Sequence, residues 1–422
     1  MATASEHNPG PGGNVALLSS RHYTPALDGI RGLAVMGVMV RHFVEDMHPT
    51  LGIDRVFFHV SRLGSSGVDL FFALSGFLIT GILLDSRSGP RYFINFYSRR
   101  TLRIFPLYYL TLAVTFWIWP LVVHDDHLLL VNQAPQFKAY YFSYAANWLF
   151  GLTGTYKGLT CVWSLCIEEQ FYILWPLVVY FLTPRRLLWV GGALLLLSIG
   201  LRWWWFASLG NALAAVQLPP DAGPKAISDF LIIGPYTLTP MRLDGLVLGA
   251  MLAAAGRVPG LLPALKRVAP WTLTLGVALL VAMVVREFGK GRTQSQLLHG
   301  PQLLAMCSGS LILLCLRPGT FWHWAFNLAI LRSFGKYCYA LYLFHPFVLV
   351  IMDQFVKQDD LPRVAGSLLP SMIAYALVGM AVSYGAAWLS WHAFEAHCLS
   401  LKRFFEYSSP KTDACNAPAP RA

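Results

Sequence analysis

The chain has 422 residues, 56% hydrophobic, 14% aromatic and only 13% charged, where a soluble domain carries about 25% charged residues. That composition excludes an ordinary soluble enzyme, and windows such as 268–285 hold no charged residue at all. The 32 Lys and Arg against 21 Asp and Glu read as anchoring charge beside a membrane rather than as nucleic-acid contacts, so no nucleic-acid partner is expected.

In chain order, residues 1–22 are polar and rich in Gly and Pro, without the basic-then-apolar pattern of a cleaved signal, and are expected to form a disordered cytoplasmic tail. Ten segments are long and apolar enough to read as spans: 25–47, 66–86, 104–124, 163–183, 187–207, 240–256, 268–285, 299–316, 335–353 and 368–391. Segments 137–152 and 320–332 are apolar but short or interrupted, which suits interfacial or re-entrant positions. The expected fold is therefore an all-α polytopic membrane protein with one transmembrane domain over 23–405 and a flexible tail over 406–422. The seven cysteines have no metal-ligand spacing, no metal site is expected, and most lie in apolar runs as buried thiols would.

Loop charge orients the spans. Segment 87–103 holds Arg87, Arg91, Arg99, Arg100 and Arg103, whereas the longer 125–160 holds only Lys138 and Lys157. In a ten-span count, Arg185, Arg186, Arg257, Lys266, Arg267, Lys402 and Arg403 fall on the side of the arginine loop. Both termini are then cytoplasmic in a plasma membrane. Segment 286–292, with Arg286, Lys290 and Arg292, runs against that bias.

The first helix begins at "TPALDGIR", where Thr24 suits the cap, Pro25 the first turn and Asp28 the positive end. Arg31 and His42 lie eleven residues apart, three turns plus roughly 20°, so they share a face about 16 Å apart along the axis. Asp28 can reach Arg31 at i+3, and Asp46 can reach His42 at i+4. Two snorkelling boundary residues are the bland alternative. It suits Arg41 better than His42, because an ionisable group inside a span is costly and usually lines a polar cavity.

"GVDLFFALSGFLITG" (67–81) sets Asp69 and Ser75 among helix-packing glycines, with Arg31 or Arg103 as partners for Asp69. "FYSRRTLRIFPLYYL" (96–110) puts Arg99, Arg100 and Arg103 at the start of a helix, either as topology signals or as an anion site. "WSLCIEEQFYILWP" (163–176) carries Glu168 and Glu169, which point about 100° apart on a helix. They cannot share one role, so one suits a cavity and the other a cation on a neighbouring helix. "TPMRLDGLVLGAML" (239–252) adds Arg242 and Asp244, and "FGKYCYALYLFHPF" (334–347) adds Lys336, Tyr342 and His345, the last read as a satisfied buried histidine rather than a second base.

In order and spacing these motifs resemble those of the integral-membrane acyltransferase family 3, over about 25 to 400. That family includes O-antigen and exopolysaccharide O-acetyltransferases, macrolide acyltransferases and nodulation-factor acetyltransferases. The resemblance implies transmembrane helices around a pore, acyl-CoA as co-substrate entering from the cytoplasm, and essential roles for Arg31 and His42. It maps the family's arginines after the second span onto Arg99, Arg100 and Arg103, and its paired glutamates onto Glu168 and Glu169. Many members carry a periplasmic esterase-like domain after the last span; here such a partner is expected to be separate. Many also have a histidine just before "WSL", where this chain has Cys161 and Val162.

The expected activity is O-acyl transfer, acetyl foremost, from acyl-CoA to a hydroxyl of a carbohydrate or lipid-linked sugar, beside membrane lipid. His42 would be the general base, oriented by Asp46 or a glutamate, with Arg31 holding the donor. An acyl-enzyme on His42 stays open, as does a macrolide-like acceptor. A proton-coupled transporter is the rival class, since intramembrane Asp, Glu, Arg and His also mark transport paths. The paired broken helices of inverted repeats are not seen in the sequence.

Overall fold

Each of the ten apolar segments is helical in the structure, a computed structural model that describes residues 24–122, 135–156, 158–215, 224–286 and 293–407. The expected tail 1–22, Lys290, Arg292 and Cys415 lie outside the described residues. In chain order the helices are α1 Pro25–Phe43, α2 Gly52–Ser61, α3 Gly67–Ser86, α4 Tyr92–Ala113, α5 Pro135–Phe142, α6 Ala146–Thr153, α7 Val162–Phe181, α8 Pro184–Ala215 and α9 Pro224–Thr237. They continue with α10 Asp244–Ala255, α11 Leu261–Arg286, α12 Gln294–Cys315, α13 Phe321–Phe326, α14 Ala329–Lys336, α15 Cys338–Phe355, α16 Leu369–Ser390 and α17 Ala396–Ser400.

Among the described residues, 8 helical stretches are long and apolar enough to cross a membrane, so this is an all-α polytopic membrane protein. The remaining two segments differ for separate reasons. Helix α1 has 19 residues but carries Asp28, Arg31 and Arg41, while α10 has only 12, about 18 Å against a core of about 30 Å. The short segments resolve into helix pairs, α5–α6 and α13–α14.

Two close crossings set the frame of the site. A Cβ at Gly76 of α3 would overlap the Leu246 carbonyl of α10, and one at Gly249 would overlap the Ala73 carbonyl. Likewise a Cβ at Gly335 of α14 would overlap the Asp28 carbonyl of α1, and one at Gly32 the Leu331 carbonyl. Only glycine permits this backbone contact. The second crossing matters for function, because it locks the turn bearing Asp28 and Arg31 against the segment that leads into α15.

Buried ion pairs tie the α3–α10 region together. Asp69 Oδ1 accepts from Arg242 at 2.9 Å, so its partner is Arg242 and not Arg31 or Arg103. Asp244 accepts from both terminal nitrogens of Arg202 at 2.7 and 2.8 Å, and Arg202 also donates to the Met241 carbonyl.

The cationic loops gather at one end of the bundle. Arg87 donates to the Leu182 carbonyl at 2.8 Å, Arg257 pairs with Asp85 at 2.6 Å, and Arg99 reaches the Lys402 carbonyl at 3.1 Å. At another point of the fold, Asp54 on α2 accepts from Ser367 Oγ at 2.5 Å and the Leu368 amide at 2.8 Å. Those bonds hold the segment before α16 against α2.

Candidate active site

Thr24 precedes α1 with extended backbone but makes no side-chain capping bond, and Pro25 takes the first turn as expected. Asp28 lies one turn from Arg31 and pairs with it at 2.5 Å. Arg31 lines a cavity of about 120 Å³ together with Ser75 of α3, Arg100 and Arg103 of α4, Ser164, Glu168 and Tyr172 of α7, and Cys338, Tyr339 and Tyr342 of α15. The walls between these polar groups are Val68, Phe71, Ile104 and Leu165.

The glutamates divide as helix geometry requires. Glu168 faces the cavity and accepts from Tyr172 at 2.9 Å and Ser75 at 3.3 Å. Glu169 is buried on another side of α7, where its Oε1 has no hydrogen-bond partner among the described residues. Neither is within ion-pair distance of an Arg or Lys among the described residues, and both act on Arg100 of α4 from farther away.

The arginines divide as well. Arg100 lies over the Tyr172 ring at 5.0 Å and Arg103 over Trp391 at 5.9 Å, both at the cavity. Arg99 does not line it. Its guanidinium donates to the carbonyls of Lys402 and Phe405 at 3.1 and 3.2 Å and lies over Tyr407 at 5.2 Å. Glu406 and Tyr407, assigned from sequence to a flexible tail, are thus docked on α4, where Asn95 also donates to the Glu406 carbonyl at 2.8 Å.

Beyond Tyr342 the cavity gives way to a pair of imidazoles. Tyr342 donates its hydroxyl to the Cys161 carbonyl at 2.8 Å and meets Ser164 Oγ at 2.8 Å. Its ring centroid is 5.8 Å from that of His345. His345 is fully buried, with Nδ1 3.1 Å from the Leu341 carbonyl and Nε2 2.7 Å from His42 Nδ1. The two rings are within 2° of parallel with centroids 5.0 Å apart. That centroid distance exceeds the nitrogen separation by about two ring radii, so the rings meet edge to edge in one plane and do not stack face to face.

These contacts fix a tautomer. A carbonyl only accepts, so His345 Nδ1 carries the proton. In a neutral ring His345 Nε2 then accepts, His42 Nδ1 donates, and the basic lone pair of His42 lies on Nε2. His345, 303 residues away, is therefore a partner that orients the His42 ring. Asp46 lies past the end of α1 at Phe43.

Sequence reasoning missed several neighbours. Tyr172 stands one turn after Glu168, a spacing that could have suggested the bond. Ser164 lies within the "WSL" motif, and Cys338 opens α15. Arg202, buried within the apolar α8, could have been flagged only by the cost of its charge. The six described cysteines are all free thiols, four of them buried.

No solved structure matches the chain. Among curated proteins it is 29% identical over 343 residues to the peptidoglycan O-acetyltransferase OatA of Listeria monocytogenes, covering 77% of this chain and 49% of that protein. It is 24% identical over 360 residues to the O-acetyltransferase OatA of Staphylococcus aureus, covering 81% of this chain and 53% of that one. The chain thus spans about half the length of the curated relatives it matches. The acyltransferase domain model matches residues 24–392, all of the spans that build the cavity and the imidazole pair, and the chain belongs to that acyltransferase family.

Proposed function

We propose that this protein is a membrane O-acetyltransferase that takes the acyl group of an acyl-CoA from the cytoplasmic face and delivers it to a hydroxyl of a cell-envelope carbohydrate. The observation that carries this reading is the chain Leu341 carbonyl, His345, His42, which leaves His42 Nε2 as the base. In the reaction, His42 Nε2 takes the proton of the acceptor hydroxyl as its oxygen attacks the thioester carbonyl carbon. The tetrahedral intermediate then expels the CoA sulfur as thiolate, and the proton passes from the imidazolium to the departing thiolate.

His345 fixes the ring and stabilises the imidazolium that forms transiently, as an orienting partner does in other acyl-transfer sites. Arg100 and Arg103 hold the phosphates of the donor by charge-assisted bonds. Arg31, held by Asp28, lies closer to the reacting carbonyl, with Glu168 positioned by Ser75 and Tyr172 across the cavity. The cluster of arginine loops at one end of the bundle favours that end as cytoplasmic, with both termini on that side of an inner membrane. The relatives' printed names favour peptidoglycan as the first acceptor to try.

The test is direct. Protein reconstituted in nanodiscs, given radiolabelled acetyl-CoA and soluble peptidoglycan fragments, should release CoA and leave base-labile label on the sugar. Absence of CoA release with every envelope carbohydrate tried would defeat the reading.

A further inference from the structure

We propose that Lys402 is a third phosphate-binding cation of the donor site, beside Arg100 and Arg103, and that Arg99 is the positioning residue that holds it there. This inference rests on the donor reading above. After α17 the chain turns back over the start of α4. There the main chain of 401–407 is pinned by two side chains of α4: Arg99 Nη1 donates to the carbonyls of Lys402 and Phe405, and Asn95 Nδ2 donates to that of Glu406. The Arg99 guanidinium also covers the Tyr407 ring at 5.2 Å.

A strap held by its carbonyls has a fixed backbone, and so a fixed origin for the Lys402 side chain. That side chain lies within electrostatic reach of Arg99, Arg100 and Arg103. The residues before and after it, Leu401 and Arg403, are exposed, whereas Lys402 itself is half-buried. A lysine stem is long and flexible, and repulsion from three guanidinium groups would turn it towards water unless packing kept it inside.

Among the described residues neither Arg100, Arg103 nor Lys402 has an ion pair. Glu168 and Glu169 act on Arg100, and Glu395 on Arg103, only from beyond ion-pair distance. Cations brought together with no carboxylate in ion-pair distance among the described residues suit a ligand carrying several phosphates, such as the nucleotide portion of a CoA thioester. Arg99 then acts through Lys402, with its Nη1 engaged by two carbonyls of the strap.

The experiment compares kcat/KM for acetyl-CoA with that for S-acetylpantetheine, which carries the thioester but no phosphate, using the full chain in nanodiscs. Wild type should prefer acetyl-CoA. Lys402→Ala should reduce that preference about tenfold, the loss of one charge-assisted phosphate contact. Arg99→Ala should do the same, and the double variant should be no worse than either single one, because both remove one device. Lys402→Arg should restore most of the preference.

A strap that is merely structural would instead lower kcat/KM for both substrates together, and that result would overturn the proposal. So would a wild-type preference retained in Lys402→Ala. A wild-type protein with no preference would remove the donor reading itself, for the arginines as well as for Lys402. Should the alanine variant fold poorly, Lys402→Gln keeps the stem and makes the same measurement.

Discussion

Asp69, Arg242, Asp244 and Arg202 meet as two closed ion pairs, whereas Arg100 and Arg103, in the same bundle, line a cavity with no carboxylate in ion-pair distance among the described residues. The paired set stands at the α3–α10 crossing with each carboxylate matched to a guanidinium, although the Nε of Arg202 and of Arg242 has no hydrogen-bond partner among the described residues. Removing one member would strand its partner in an apolar surround. On the proposed function, the unpaired set is where the phosphates of the donor bind. The difference teaches how to sort intramembrane charge: a closed pair holds the fold, and an open cation awaits a ligand.

Breaking the closed set should have the larger effect on stability. Arg202→Ala leaves Asp244 buried without its bidentate partner and should lose about 3–5 kcal/mol of stability. Thermal unfolding in detergent, followed by fluorescence on a sizing column, would read this as a lower midpoint or as loss of the folded peak. If Arg202→Ala melts like wild type, the ion pair is not what secures this crossing.

Breaking the open set should do the reverse. Arg103→Ala removes a cation that has no ion pair among the described residues, so the melting midpoint should hold or rise slightly. The KM for acetyl-CoA should rise about tenfold, or about 1.4 kcal/mol in transition-state binding. A variant that loses stability and keeps its KM would make Arg103 a structural residue and erase the contrast. Arg100→Ala serves as the parallel case, with the added loss of its contact over the Tyr172 ring at 5.0 Å.

Much of this is legible in the sequence because hydropathy acts locally. All ten apolar segments are helices, and Asp28 with Arg31 needs only the i+3 rule. The boundary of α4 is less legible: it begins at Tyr92, not at 104, because the polar turn "YFINFYSRR" is helical without being apolar. Helix α10 is legible as an apolar segment but is too short to span on its own. Pairings across the chain leave no local trace. Nothing near Asp69 or Asp244 indicates that Arg242 serves the first and Arg202 the second, and nothing near His42 points to a ring 303 residues away. Arg99 groups with its neighbours by residue type, although helix position sends it to the strap.

The central claim is that His42 is the base, and the measurement that tests it most directly is turnover by His42→Ala in membranes with matched protein levels. General-base assistance contributes about 10²–10⁴ in rate, or about 2.7–5.4 kcal/mol. His42→Ala should therefore lose at least a hundredfold in kcat while its KM for acetyl-CoA changes little, because the proton moves only in the transition state. His345→Ala should fall in the same direction by a smaller factor, since it frees the ring without removing it. Near-normal kcat in His42→Ala would contradict the account and pass the role of base to another group.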